Sequence, residues 1–319
     1  MSTQPLALAS EAPGHGRRRW WWPWGGAQHD TVFAYLLNVP ALVMIFTLVA
    51  YPIGYSFWLS LQRYNLKRPD LQRFVGFDNY LQLLTDDTFL NSLKISCIFS
   101  FCSVVLVVAI SLSLALLLNE TFLGRGVLRS LILLPWALPG VVNGLMWRWL
   151  FNARVGAFNG ALLSLGLIDQ YQTWLIDPTS ALAIAIFANV WNLAPFSTII
   201  LLAGLSTIPS ELYDAARVDR ASAFQRFRHV TLPWLLHPLL VVLILQTLNA
   251  FRTFDTIYIL TGGGPGEATN VIALQTVRTV LDFTDFGMGN AYAYVITFIT
   301  LAISIGYVAI LHKRGSFEV

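Results

Sequence analysis

The sequence predicts an all-α integral membrane protein with six core transmembrane helices. Three observations carry that expectation. Of the 319 residues, 56% are hydrophobic and only 12% charged, and the mean hydropathy is +0.62, far outside the habits of soluble domains. Several stretches reach the roughly 20 mainly apolar residues that a helix needs to cross the hydrocarbon core. Those stretches are continuous, as over residues 104–118, whereas a closed β-barrel, the other spanning solution, is written in short alternating segments. The buried helical core of a large soluble protein would need polar faces on most helices, and the second stretch has none.

Residues 1–32 read as a polar cytoplasmic tail without a secretory cleavage pattern. In it Arg17, Arg18 and Arg19 precede Trp20, Trp21, Trp22, Pro23 and Trp24, amphipathic rings that suit the headgroup zone. The transmembrane domain is expected over 33–312, with its first span at about 33–61. An external segment, 62–94, follows and is expected to lie on the outer membrane surface. A helix starts there near Asp78, with Asp as cap and Leu81, Leu84 and Phe89 as an apolar stripe. The second span, 96–118, carries Cys97 and Cys102, five apart on one helix and so pointing in different directions. They read as packing residues, not a bridge. The third span, 130–151, contains Pro135, Pro139, Gly140 and Gly144, and the fourth, 180–205, contains Pro195. Each is either an ordinary kinked helix or one that parts locally, where protein or a water-filled cavity receives the freed backbone groups. The fifth span, 232–260, and the sixth, 291–311, complete the domain before a short cytoplasmic tail, 313–319.

The net charge of +3 is small and gives no reason to expect nucleic acid. The positions of Lys and Arg carry topology instead. The side that holds the N-terminus also holds Arg125, Arg129, Arg217, Arg220, Arg226, Arg228, Lys313 and Arg314, and outweighs the other side in positive charge. Both termini are therefore expected in the cytoplasm. The first external loop, with Arg63, Lys67, Arg68 and Arg73, is unusually basic for a translocated segment.

The most informative stretch lies between the fourth and fifth spans. Pro209 and Ser210 start a helix, and Glu211 and Asp214 occupy its first turn, where negative charge meets the positive end of the helix dipole. Leu212, Ala215 and Ala216 then share a face. A second short helix follows, with Phe224 and Phe227 on one side and Arg226 and Arg228 elsewhere. Charge alone allows an amphipathic surface loop that obeys the positive-inside rule. The small residues allow something else, a helix-turn-helix that another protein surface approaches closely.

The spacing resembles the cytoplasmic loop of permease subunits from binding-protein-dependent ABC importers: Glu-Ala-Ala, three residues, Gly, nine residues, Ile, one residue, Leu-Pro. Here Asp214-Ala215-Ala216 is followed at the same intervals by Arg220, Val230 and Leu232-Pro233. Arg220 replaces a glycine, whose backbone angles an arginine resists. The resemblance runs from about Phe33 onward. It takes in Phe74-Val75-Gly76-Phe77-Asp78-Asn79-Tyr80, Leu134-Pro135, Ala203-Gly204-Leu205 and Leu260-Thr261-Gly262-Gly263-Gly264-Pro265, and points to the sugar-permease subfamily.

That resemblance implies six core helices with a cytoplasmic coupling helix-turn-helix between the fourth and fifth. It implies a multi-pass subunit of the bacterial cytoplasmic (inner) membrane, forming half of the translocation pathway for a sugar, expected to be a di- or oligosaccharide. Membrane lipid would surround it, and three protein partners are implied. An ATP-binding subunit dimer would receive the loop through Glu211, Asp214, Ala215, Ala216, Asp219, Arg220, Leu232 and Pro233. A second homologous permease would complete the pathway, and an extracytoplasmic solute-binding protein would deliver the solute. ATP and Mg would belong to the ATPase, with no cofactor or metal in this chain. The sequence itself contains no G-x-x-x-x-G-K-[ST] phosphate loop, no H-E-x-x-H zinc helix and no G-x-S-x-G nucleophile turn, so a non-catalytic subunit is expected.

The subfamily's sugar-contacting positions fall on Asn189, Asn192, Leu193 and Phe196, then on Ala250 and Thr253. The asparagines suit hydroxyls and Phe196 the apolar face of a sugar. Ala250 and Thr253 depart from the family's asparagines. Arg252 and Asp255, three apart on one expected helical face, either neutralise one another or leave Arg252 to grip an anionic solute such as a glycerophosphate. An ion-coupled carrier would draw on Arg148, His237, Arg252 and Asp255 inside the membrane, but gives no reason for the loop spacing.

Overall fold

The computed structural model describes residues 27–312. The tryptophan-rich tail up to Gly26 and the tail over 313–319 lie outside the described residues. The chain divides into two compact units, Met1–Tyr55 and Ser56–Val319. In the first, helix α1, Ala27–Ile45, leads through a π-turn, Phe46–Ala50, into the start of α2, Tyr51–Ser60. Pro52 is the local cause of the π-turn. It has no N–H to offer the carbonyl of Leu48, and the ladder shifts so that Tyr51 N–H donates to Phe46 O.

In the second unit, β1, Gln62–Arg63, and β2, Arg73–Phe74, pair antiparallel, with Gln62 opposite Phe74 and Arg63 opposite Arg73. Helix α3, Asp78–Leu83, lies where a helix was expected, but Asp78 sits in its first turn and the cap residue is Phe77, without a side-chain bond. Its buried residues are Asn79 and Leu83, while Leu81 and Leu84 are exposed; Phe89 is buried on the next helix. The expected stripe is thus split between two elements, because the chain turns at 84–86.

Helix α4, Asp87–Asn119, runs for 33 residues from an Asp86 cap. Its buried face carries Ser92, Ser96, Ser100, Ser103 and Ser111, small hydroxyl residues that let helix backbones approach closely in lipid. Cys102 packs against the largest apolar cluster whereas Cys97 is exposed, so the packing role expected of both holds for Cys102.

The third expected span is two pieces, α5, Arg125–Leu131, and α6, Gly140–Leu150. Pro135 and Pro139 lie between them, and each removes a donor and bars its predecessor from helical angles. Helix α7, Ala157–Ser164, leads to α8, Pro178–Ser206, which Asp177 caps and which continues unbroken through Pro195. After α9, Ser210–Val218, and α10, Ala223–Arg226, a π-turn, Phe227–Thr231, enters α11, Leu232–Trp234.

The fifth expected span also breaks. A 67° bend separates Trp234 from α12, Leu236–Arg252, near Pro238, and a second break at Thr253 and Phe254 precedes α13, Asp255–Leu260. Helix α14, Ile272–Leu281, and α15, Phe286–His312, end the described chain. Among the described residues four helical runs are long and apolar enough to cross a membrane, Phe33–Ser60, Asp87–Asn119, Pro178–Ser206 and Phe286–Ile310, and the bent pair makes up to five. Helix α4 packs along α8 and α12, and α12 packs on α15. This bundle surrounds a core that includes Phe99, Val107, Ala188 and Val190.

Candidate functional site

Helix α8 runs between the two broken segments, and its polar side chains meet both. Asn192 Nδ2 donates to Pro135 O at 2.6 Å and Leu138 O at 3.3 Å, carbonyls released where α5 and α6 part. Its amide protons are thus spent on the break, leaving Oδ1 as the atom able to meet a solute hydroxyl. Asn189 is different. It is buried, its Nδ2 has no partner among the described residues, and its Oδ1 lies 3.4 Å from Thr253 Oγ1. The Thr253 hydroxyl has one proton and a shorter bond, 2.8 Å, to Asn249 O. Asn189 therefore holds an amide with open donors inside an apolar core, an arrangement that costs about 1–3 kcal/mol until an acceptor arrives.

Phe196, expected as the stacking face, is already stacked on Trp136 with centroids 4.8 Å apart and an interplanar angle of 13°. The accessible ring is Trp136, which is 47% exposed. Sequence reasoning missed it; the only signal was an aromatic residue between two prolines in a broken span. Leu193 is half-buried against the core and Ala250 is fully inside it.

Arg252 and Asp255 do not share a helix, because the chain breaks between them, and they form no ion pair. Asp255 instead accepts from Thr256 N, and its carboxylate lies so close to Gly140 that a Cβ there would overlap it. Negative charge thus meets the positive N-terminus of α6, and Thr256 Oγ1 donates to Gly140 O to pin the contact. Arg252 is left exposed without an ion-pair partner among the described residues. Arg148 donates to Ile259 O on α13.

At the other end of α8 stands the helix-turn-helix. No residue of α9 is buried. Its C-terminus closes with Ala221 N–H on Ala216 O at 2.9 Å and Arg220 N–H on Arg217 O at 3.0 Å, the paired bonds of a Schellman cap. Arg220 occupies the left-handed position of that cap, φ 53°, which explains why a glycine is expected there. Ser222 and Gln225 then form a capping box for α10, and Tyr213 OH meets Thr231 Oγ1 at 2.9 Å to tie the two arms together. Glu211, Asp214, Ala215 and Asp219 are exposed, Ala216 and Leu232 half-buried, and Pro233 exposed. Beside them Val218 and Phe224 are 82% and 69% exposed, apolar residues that their own chain leaves largely uncovered.

The cap makes a prediction. A non-glycine residue in the left-handed region costs about 1–3 kcal/mol, and glycine returns part of that as unfolded-state entropy. Arg220→Gly is expected to stabilise the protein by about 1 kcal/mol, read as a higher melting temperature in detergent, with uptake retained. A large loss of uptake would show instead that the guanidinium makes a needed contact.

Known proteins are similar to this chain in sequence and in architecture. A family profile described as the binding-protein-dependent transport system inner membrane component matches residues 106–312. The trehalose/maltose transport system permease protein of Thermococcus litoralis is 41% identical over 289 residues, covering 91% of this chain and 95% of its own. The sulfoquinovosyl glycerol transport system permease protein of Agrobacterium fabrum is 33% identical, covering 89% and 92%, and the trehalose transport system permease protein of Mycobacterium tuberculosis is 33% identical, covering 85% and 86%. In fold, the chain superposes on a bacterial ABC transporter involved in the import of the polysaccharide alginate with a TM-score of 0.76 at 21% identity, over 89% of this chain and 96% of that one. With the helix-turn-helix in place and matches that run nearly end to end, the chain belongs to the family of inner membrane components of binding-protein-dependent transport systems, as a permease subunit of an ABC importer.

Proposed function

We propose that this permease forms one half of the translocation pathway for a neutral di- or oligosaccharide. The carrying observation is what α8 presents along its length: the buried, unpartnered amide of Asn189 and, about two turns further on, Phe196 with the accessible Trp136 ring stacked on it, a donor and an apolar face on one helix in a mostly apolar setting, as polyhydroxylated solutes require. Relatives named for trehalose and maltose support the same reading. Transport would draw its energy from a partner ATP-binding dimer, which binds ATP and Mg and receives α9 and α10. A second homologous permease supplies the other half of the pathway, and an extracytoplasmic solute-binding protein delivers the sugar. Both termini then face the cytoplasm of a bacterial cell, the orientation that the Lys and Arg distribution favours.

A second reading, an anionic solute such as a glycerophosphate, is favoured by one observation, the exposed Arg252 that Asp255 does not neutralise. One measurement separates the two. In the reconstituted complex, ATPase activity is expected to rise on adding maltose or trehalose with the solute-binding protein and to stay basal with glycerol 3-phosphate. Stimulation by the phosphate alone would reverse the assignment.

A further inference from the structure

The end of the molecule away from α9 and α10 gathers positive charge that its own fold does not use. The C-terminal end of α4 lines a cleft with α9, and its other end, about 50 Å away at 1.5 Å per residue, meets the N-terminal part of α15 through Tyr292 and Asp86. There the β1–β2 ribbon and the start of α15 enclose a second cleft of about 510 Å³, lined by Arg63, Asn65, Lys67, Arg68 and Asp285 among others. Arg63 stands directly opposite Arg73 in the ribbon register, and like charges in that position destabilise a strand pair. Among the described residues, neither the three cations of the lining nor Arg73 on the facing strand makes an ion pair. Lys67 Nζ donates to Asp282 O. Asp285, the one carboxylate of the lining, is committed to the fold: Oδ1 accepts from Met288 N and Oδ2 from Asn65 Nδ2. The arrangement is therefore held at a cost that a bound anion would remove.

Position identifies the anion. Arg63 follows the last residue of the span Phe33–Ser60 by three residues, and Asp285 immediately precedes the span Phe286–Ile310. The cleft thus opens at the depth where two spans leave the hydrocarbon, the headgroup layer. Its surroundings suit that depth: Leu71, Phe74 and Phe283 are exposed at its margin, and Trp58 stacks on Phe74 at 5.5 Å, the amphipathic and apolar set that anchors protein at the membrane–water boundary. A water-borne acidic protein would account for the charge but leave the apolar margin unused. We infer that this cleft binds the phosphodiester of an anionic phospholipid in the extracytoplasmic leaflet, gripped by the planar guanidinium groups of Arg63 and Arg68.

The test uses the full chain purified in detergent and titrated with phosphatidylglycerol or phosphatidylcholine, with bound lipid counted by native mass spectrometry and melting followed in parallel. Phosphatidylglycerol is expected to be retained in preference to phosphatidylcholine and to raise the melting temperature. Arg63→Gln and Arg68→Gln are each expected to weaken that retention about fivefold, the usual effect of one basic residue near an anionic lipid surface. Arg73→Gln is expected to raise the melting temperature of the lipid-free protein, by relieving the Arg63–Arg73 opposition, and to shrink the rise that lipid produces, a pair of signs that a misfolded variant does not give. Unchanged phosphatidylglycerol retention in a variant lacking all three arginines would overturn the inference. So would displacement of the lipid by millimolar orthophosphate, which would assign the cleft to a free anion. Loss of solute-binding-protein affinity in that variant with lipid retention intact would assign it to the protein partner.

Discussion

Ala216→Trp is expected to abolish uptake while leaving the subunit inserted in the membrane. The physical reason lies in what α9 presents. Its residues are all at least partly accessible, its charges sit at its first turn and its end, and between them Ala215 and Ala216 offer a surface with almost no side-chain relief. Another protein surface can therefore approach the helix backbone, with Val218 and Phe224 beside it as exposed apolar anchors. An indole at 216 fills that space. Loss of a central contact of this kind costs about 3 kcal/mol or more of docking energy, over a hundredfold in affinity, and in the partnership proposed above a permease that cannot hold the ATP-binding subunit does not import.

Because Ala216 is half-buried, its replacement also presses on the permease itself. Ala215→Trp separates the two effects, since Ala215 is exposed where Ala216 is half-buried. Both variants are expected to insert normally, to fail to co-purify with the ATP-binding subunit, and to show no uptake. Normal uptake by either would sink the docking role of this face. Loss of membrane insertion by Ala216→Trp alone would assign position 216 to internal packing and leave position 215 as the test.

Much of this architecture was legible in the chain, for reasons that differ by element. Long apolar runs such as α4 and α8 announce themselves because lipid imposes length and apolarity on any spanning helix. The helix-turn-helix was readable from the spacing of Asp214, Ala215, Ala216, Arg220 and Leu232, and its turn geometry followed the substitution that looked most out of place, Arg220. The broken spans were only half legible. Proline showed where a helix is able to part, yet Pro195 passes through an intact α8 while Pro135 and Pro139 do not. The difference is tertiary: the freed carbonyls at Pro135 and Leu138 find Asn192, 57 and 54 residues further along. The break at Thr253 had no local signal at all, so Arg252 and Asp255 were placed on one helical face that does not exist. Asp255 found its counter-charge at the N-terminus of α6, and no i, i+3 rule anticipates a helix end brought in from another part of the chain.

Asn189, Asn192 and Phe196 follow one another along α8, with Trp136 stacked on the last of them, and they are not equivalent. Trp136 is exposed and rests on Phe196, so its removal takes away an apolar platform without opening the core. Trp136→Ala is expected to raise the sugar concentration that half-stimulates the ATPase by about tenfold or more, the scale of one large side chain's burial, with little change in melting temperature. Asn192→Leu acts on the fold instead. It takes from Leu138 O its donor and leaves Pro135 O only the bond from Leu138 N–H at 3.2 Å, at about 1–3 kcal/mol for the unsatisfied group, and is expected to lower the melting temperature before any change in sugar dependence is seen. Asn189→Leu removes an amide that has no protein acceptor, so it is expected to leave stability unchanged or raise it while weakening sugar stimulation. If Asn189→Leu and Trp136→Ala both destabilise the protein and spare sugar dependence, the pathway runs elsewhere and this cluster is structural.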